Sequence, residues 1–447
     1  MSMTAEQAFL NLRDAGLEEV LYLPNTQKYD DRIASHWSAT PRLRPWGIVQ
    51  PRNTEEVARA VRAVVAAKDV KFAVRSGGHM VWAGASEIVD GITIDLGLMD
   101  NTSYNAETEI ASLQPGGTWV AAYEELEKHQ VINYEVVLAD GRIVNANTNE
   151  NADLFIALKG GGNNFGIVTR FDMLTFPAKD IWDLTIQAPK ESSVRAAQVL
   201  VDGTKNLNNA PDDHLIAVWW HFPKATEHIV FVDVLNLDGE SGTETHKMLD
   251  AIPGQRTGYT APVAERLRKF VDFSGKQDTW YNLVFKADIR IVLKAVEVFE
   301  ALIETFKGPI PDSNFSFQMV FQPLPASFRA RSLERGGNVL GLDHIQEDCI
   351  QLVWVIEVET AELNDTVTAP LLKKAVGEID AFARSIGGGS DFLYLNYCDV
   401  TQNPLGSYGE ENVRKIRDAA AKYDPEGVFQ TRVPGGFKIS KVGKGGN

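Results

Sequence analysis

The sequence predicts an α+β fold in two parts, and three observations carry that expectation. Up to about residue 178, short helical and strand patterns alternate. Beyond Phe176-Pro177 the strands lengthen and fill with aromatic and β-branched residues. Long helical stretches separate them, the pattern of an antiparallel sheet backed by helices. At 447 residues, 44% hydrophobic and 23% charged, the chain has ordinary soluble composition and room for more than one domain.

Asn53, with Glu56 three residues on, forms a capping pair at a helix start. Val57, Ala60, Val61, Val64 and Val65 follow at helical spacing. Val70 to Val74 reads as a strand that ends in Arg75-Ser76-Gly77-Gly78-His79, where paired glycines permit unusual backbone angles. Ile92 to Leu96 and Ile110 to Gln114 are further strands. Thr118 caps a helix expected to run to about His129. Val131 to Leu138 and Arg142 to Asn145 flank the turn Ala139-Asp140-Gly141, a hairpin signal. Asn151 to Lys159 reads as a helix stopped by Gly160-Gly161-Gly162, and Ile167 to Phe171 as a strand. The second half offers strands at Leu215 to Phe222, His228 to Leu235, Trp280 to Phe285, Phe315 to Phe321 and Ile350 to Glu357. Its helices are Val194 to Leu207, Ile291 to Phe306 and Leu371 to Ala383. From Asp391 to Gly436 the expectation is a strand, then a helix from about Glu410 to Lys422. The chain so divides into 1–40, a helical extension; 41–178; 179–390, an α+β substrate domain; and 391–447, returning to the first domain. One junction lacks its usual chemistry. The helix ending near His129 reaches the strand at Val131 through Gln130 alone, with no Gly, Asn or Pro to turn the chain.

Lys and Arg number 44 against 60 Asp and Glu, a formal net charge of −16. That is the wrong footprint for nucleic acid or anionic lipid, and neither is expected as a partner. Two cysteines, Cys349 and Cys398, cannot build a disulfide framework, and the eight histidines are scattered, so no metal site is expected. Met1 to Val20 is acidic, without the basic start of a signal peptide, and no stretch reaches the ~18 apolar residues of a membrane span. A cytoplasmic location is the expectation.

Gly160 to Gly166 follows a helix and opens a strand, so it fails the context of a Rossmann loop. The Arg75-to-His79 turn follows a strand, and its successive amides suit an anion-binding nest for a pyrophosphate. On residue type alone His79 is a ligand, a base, a covalent tether or a hydrogen-bonded turn residue.

Several motifs in order resemble the berberine-bridge-enzyme-like FAD-linked oxidases, fungal branch, with their vanillyl-alcohol-oxidase or PCMH-type flavin domain. They are Pro45-Trp46-Gly47-Ile48-Val49-Gln50-Pro51, Arg75-Ser76-Gly77-Gly78-His79, Leu113-Gln114-Pro115-Gly116-Gly117, Val137 to Val144, Asn151 to Phe155, Phe165-Gly166-Ile167-Val168-Thr169, Tyr394-Leu395-Asn396-Tyr397 and Tyr423-Asp424-Pro425. The resemblance spans nearly the whole chain. It implies FAD as cofactor, Arg75, Ser76, Gly77 and Gly78 as the pyrophosphate loop, and His79 as the histidine bonded to the flavin 8-methyl group. It implies backbone contacts to the cofactor from Gly166, Ile167 and Val168, and Tyr394 and Asn396 near the isoalloxazine. The sheet between Phe176 and Asp391 would roof the flavin and select a small organic substrate, a secondary metabolite, with O2 as the second partner.

The resemblance also implies a further glycine-rich segment between the helix ending near His129 and the strand at Val131, which this chain lacks. No cysteine stands there for a second flavin bond. Two readings follow. In the first, the chain is a flavin-dependent oxidoreductase: a substrate carbon gives hydride to flavin N5 while a base, with Tyr394 and Tyr397 as candidates, takes a proton. His221 and Glu357 also lie on expected roof strands, where they read as strand residues with no chemistry. In the second, the chain is a flavin-free descendant that binds or cyclises without redox, or an inactive shortened product.

Overall fold

The computed structural model describes residues 3–125, 129–175, 179–269 and 275–443. Three sheets build it. The first is four-stranded, from β1 (Leu21–Tyr22), β2 (Gly47–Val49), β3 (Lys71–Arg75) and β4 (Gly91–Asp95), in the order β1-β2-β4-β3. β2, β4 and β3 run parallel, and the helix Thr54–Ala66 crosses over between β2 and β3. That helix starts as the sequence expects, with Asn53 Oδ1 accepting from the Glu56 amide at 2.9 Å. Its apolar stripe of Val57, Ala60, Val61 and Val64 is buried against the sheet.

The second sheet is five-stranded and antiparallel: β5 (Thr102–Asn105), β6 (Ile110–Leu113), β7 (His129–Val137), β8 (Ile143–Asn147) and β9 (Ile167–Thr175), ordered β5-β6-β9-β7-β8. The helix expected to reach His129 is shorter, Trp119–Glu125, and β7 begins at His129 rather than Val131. Gln130 therefore stands inside a strand, in register with Leu174, rather than serving as a one-residue connector. Residues 126–128, between helix and strand, lie outside the described residues, as does the expected domain boundary at 176–178.

The third sheet has seven antiparallel strands, β10 (Ile181–Pro189), β11 (Asp213–His221), β12 (Ile229–Asn236), β13 (Gln255–Ala261), β14 (Gln277–Lys286), β15 (Ser316–Leu324) and β16 (Cys349–Val358), ordered β13-β10-β12-β11-β15-β16-β14. One face carries Trp219, Tyr281, Phe285, Phe317, Phe321 and Trp354 onto the helices Ser193–Asn206, Ile289–Lys307 and Ala369–Ser385, forming the largest core. On β14 the opposite parity, Asp278, Trp280 and Asn282, looks toward the first two sheets.

The expected strand after Asp391 is absent: among the described residues no strand follows Val358. A side chain and two glycines take its place on the β14 edge. Gln402 accepts from the Asn282 amide at 3.1 Å and donates to the Asn282 carbonyl at 2.7 Å, while Phe285 bridges Gly389 and the Lys286 amide donates to the Gly388 carbonyl at 2.9 Å. Tyr394 to Tyr397 form a tight turn instead.

The chain's end closes on the glycine loop after the helix Ala152–Leu158. Asn164 donates to the Gly161 and Phe437 carbonyls at 2.6 and 2.9 Å, and accepts from the Ile439 amide and from Gln430 at 3.0 Å. Lys438 is buried and donates to the Asn163 carbonyl and Oδ1 at 3.1 and 3.0 Å. Burial pushes the Lys438 ammonium down to about 7, from an ordinary 10.5. Between those values the unfolded chain binds more protons than the folded one, so this residue adds stability as pH rises from 7 to 10.5. Below pH 7 its full cost is present. Lys438→Met should flatten that rise, read as the urea midpoint across the same pH window.

Candidate flavin and substrate site

β3 ends at Arg75, and its side chain turns inward rather than toward the loop it opens. The guanidinium is 1% exposed, lies 3.5 Å from Asp95 Oδ2, and donates to Ser35 Oγ at 2.7 Å and to the Arg32 carbonyl. Arg32 closes the other side of Asp95 with a bidentate pair at 2.9 Å and 3.1 Å. Gly78 adopts φ +67°, and a Cβ there would stand 2.8 Å from Arg75 Nε. The glycine thus serves both the turn and the inward arginine. A Cβ on Gly77 would meet nothing within 4 Å, so open space lies in front of the turn. Among the described residues the amides of Gly77, Gly78 and His79 have no hydrogen-bond partner. Ser76 Oγ donates to the Pro115 carbonyl and pins the loop to the next glycine turn. Of the expected pyrophosphate residues, Ser76, Gly77 and His79 are exposed, Gly78 is buried against Arg75, and the Arg75 charge turns inward.

His79 lies in a run of rings drawn from four segments. Its imidazole stacks on Trp37 at 4.9 Å between centroids and 10° between planes. It meets Trp280 of β14 edge-on at 6.1 Å. Trp280 contacts Tyr397 at 5.6 Å, and Tyr397 contacts Tyr394 at 5.2 Å. Tyr394 Oη accepts from Asn396 Nδ2 at 3.0 Å. The structure so brings together His79, Tyr394, Asn396 and Tyr397, far apart in sequence. Burial pushes the Tyr394 phenol up, Tyr397 adds to that and Asn396 opposes it. That direction keeps the phenol protonated, opposite to the tuning a general base needs.

Gly166 allows β9 to start close over β7: a Cβ there would stand 2.7 Å from Val136 Cγ1 and 2.7 Å from the Val137 carbonyl. Ile167 and Val168 pair with Val137 and Val136. On the other side of β9, β6 covers only Phe171 to Leu174, so Ile167 and Val168 present an edge without a strand partner. Those backbone groups and the unpartnered loop amides are the observations that fit a dinucleotide cofactor.

His221 does not join the site. It shares the face of Leu215, Ala217 and Trp219, stacks on Phe315 at 4.8 Å, and burial pushes it down to about 4. Its parity on β11 puts it on the helix side of the sheet. Glu357 has the opposite parity from Ile356 and Val358 and stands in register with Asp278.

Sequence reasoning missed Trp37 and Trp280. The signal for Trp280 was its alternation with Tyr281 and Leu283; residues 36–40 have no periodicity to read. Beside Trp280 opens a cavity of about 450 Å³ with mixed walls: Trp82, Trp280 and Pro370 are apolar, and Asp278, Lys373 and Asp399 are charged. A five-residue π-helical turn, Asn364–Thr368, lies at its rim, with Thr279 Oγ1 donating to Asn364 Oδ1 at 2.7 Å. Such turns are frequent at functional sites. Among the described residues no group of His, Cys, Asp or Glu could hold a metal ion, and no helix is long and apolar enough to cross a membrane.

Comparison with known proteins gives one family model, "FAD binding domain", matching residues 45–134. The FAD-dependent monooxygenase drtC of Aspergillus calidoustus is 30% identical over 98% of this chain and 91% of its own length. That alignment runs over 480 positions, more than the 447 residues here, so the relative carries residues that this chain lacks. Among solved structures, a xylooligosaccharide oxidase from Myceliophthora thermophila C1 superposes with a TM-score of 0.76 at 19% identity, covering 97% of this chain and 99% of its own. Berberine bridge enzyme superposes with a TM-score of 0.74 at 14% identity over 95% of this chain and 97% of its own. At such identities the likeness is one of fold.

Proposed function

Because this chain belongs to the fungal FAD-dependent oxidoreductases of the PCMH-type, berberine-bridge-enzyme-like family, we propose that it oxidises a small organic molecule with O2 as electron acceptor. The enzyme class and the FAD-binding domain follow from the family; the substrate and the oxidase cycle are the proposal. Bound FAD would supply the redox chemistry, accepting hydride from a substrate carbon and passing the electrons to O2. The amides of Gly77, Gly78 and His79 hold the pyrophosphate as a nest, with Arg75 fixing the turn from behind. His79 is the tether. Ile167 and Val168 offer backbone groups from the open side of β9.

The residues around the cavity then sort by task. Trp280 separates the His79 side from the cavity and gives a flat apolar wall against which a ring can stack. Tyr397 and Tyr394 continue the ring series beyond Trp280, and the protonated Tyr394 phenol orients a substrate oxygen by donating to it. Trp82, Trp280, Tyr281 and Pro370 offer apolar surface to a ring-bearing secondary metabolite, and Asp278, Asp365, Lys373 and Asp399 offer polar groups to its substituents.

The observation that carries this reading is the ring series from His79 through Trp280 to Tyr397 and Tyr394, which joins the loop, the roof and the C-terminal segment at one place. The test is the visible spectrum of the purified protein before and after acid precipitation. Flavin absorption that stays with the precipitate, and is lost from it in His79→Ala, is expected. The variant should remain folded, since a turn histidine is rarely a large stability term. A colourless protein that takes up no added FAD would replace this reading with the flavin-free one, which the missing glycine-rich segment motivates.

A further inference from the structure

Residues 32–40 form a strap between the base of the glycine loop and the roof. At its first end Arg75 donates to the Arg32 carbonyl and to Ser35 Oγ. The next residue, His36, is wholly buried, with Nδ1 3.1 Å from the Ile33 carbonyl and Nε2 3.9 Å from Glu87 Oε2. At its other end the strap pairs with the chain leading into β14. The Gly275 amide donates to the Trp37 carbonyl at 3.0 Å, and the Ala39 amide to the Lys276 carbonyl at 2.7 Å. Thr40 Oγ1 accepts from the Asp278 amide at 2.8 Å and faces the Asp278 carbonyl at 3.2 Å. Trp37 sits between these two anchors. Its indole lies parallel to the His79 imidazole, while Trp280 stands across both rings, 5.8 Å from Trp37 and 6.1 Å from His79.

We propose that Trp37 is a positioning residue for the covalent attachment of flavin to His79, a role that rests on the tether assigned above. The side chain of His79 is exposed and its loop amides are unpartnered, so nothing in the loop itself fixes the ring. The stack removes that freedom by holding one face of the imidazole against the indole, so that its nitrogens lie in a fixed plane. Attachment joins an imidazole nitrogen to the flavin 8-methyl carbon. One methyl C–H bond and the N–H bond break, and the two protons and two electrons reduce the flavin ring and pass to O2 as hydrogen peroxide. The bond therefore needs a nitrogen held in line with the methyl carbon, whereas pyrophosphate binding by the loop amides does not. Trp37 acts on the first and leaves the second alone.

The experiment loads the flavin-free full-length protein with FAD and follows two quantities: the Kd for FAD, and the rate at which flavin becomes resistant to acid precipitation. Trp37→Leu keeps an apolar side chain but removes the flat face and some of the volume. It should slow covalent attachment by about tenfold or more while Kd changes less than about threefold, as expected when alignment and not affinity is lost. Trp37→Phe, which restores a flat face, should recover most of the rate. Equal attachment rates in Trp37→Leu and the parent would overturn the proposal, as would a loss of attachment fully matched by a loss of FAD affinity. A parent protein that binds FAD and never attaches it would overturn the tether itself, and this role with it. If Trp37→Leu does not fold, Trp37→Phe against Trp37→Met decides on the same two readouts.

Discussion

Arg432→Ala lowers the unfolding free energy by about 3–5 kcal/mol, because it strands several buried acceptors at once. The Arg432 guanidinium donates to the carbonyls of Val64, Val65, Ala67 and Val70 at 2.7 to 2.8 Å. Three of these belong to the last turn of the helix Thr54–Ala66 and its exit, where carbonyls have no helical partner. The fourth begins the run into β3. The Arg432 carbonyl in turn accepts from the Phe72 amide at 2.8 Å, so the residue joins the C-terminal segment to the edge of β3. Arg432→Lys should recover less than half of the loss, since an ammonium cannot match a planar fork with donors on three nitrogens. Urea denaturation with a fixed m-value checks both variants; a change under about 1 kcal/mol for the alanine would contradict the account.

Asp95→Ala should cost a similar amount, about 3–5 kcal/mol, and should weaken FAD binding as well. The carboxylate is fully buried and holds Arg32 and Arg75, and it also accepts from Gln50 Nε2 at 3.2 Å and the Gly97 amide at 2.8 Å. Removing it leaves the buried Arg75 guanidinium and the partly exposed Arg32 without the carboxylate they share, with Glu87 the remaining acid acting on Arg75. Arg75 is also what Gly78 folds around, so the loop loses its backing. The two consequences separate on measurement: the denaturation midpoint reports the first, and FAD affinity well below the melting range reports the second. Unchanged affinity in a folded variant would show that the loop shape does not depend on Arg75.

Most of the architecture was legible because its causes are local. The cap at Asn53, the stripe behind it and the turn after Val74 all act within a few residues. The long strands of the roof were legible for the same reason, since Leu215, Ala217 and Trp219 alternate on one face. Two roof strands were not. β13 has the pattern of an exposed edge, with Gly258 in its middle, and β10 carries the buried Asp183 among its apolar positions. At the site, the loop and the tyrosines were visible as motifs, yet the direction of Arg75 was not. A pyrophosphate loop with an arginine invites an outward charge, and the inward one depends on Asp95, Arg32 and Ser35, none of which is near in sequence. The strand expected near Tyr394 failed because the β14 edge is met piecewise, by the Gln402 side chain at Asn282 and by Gly388 and Gly389 at Lys286 and Phe285. Trp37 could not have been read at all, for its partner is defined only once the strap has crossed to β14.

The contacts between the chain's end and the glycine loop also bear on how the protein is made. Ile439 binds the Asn164 side chain across a sequence separation of 275 residues, and Lys438 reaches Asn163 across the same distance. Val428, Phe429 and Val433 complete the core that the helix Thr54–Ala66 and the first sheet begin. A ribosome releases the N-terminal half long before those residues exist, and domains ordinarily fold as they emerge. Here the flavin-binding half must wait, holding an incomplete core while the whole seven-stranded roof is synthesised and paired. Such long-range closure is slow. Cofactor loading is therefore an event of the finished chain, and any stop codon or truncation before about residue 430 leaves the first domain without the residues that close it.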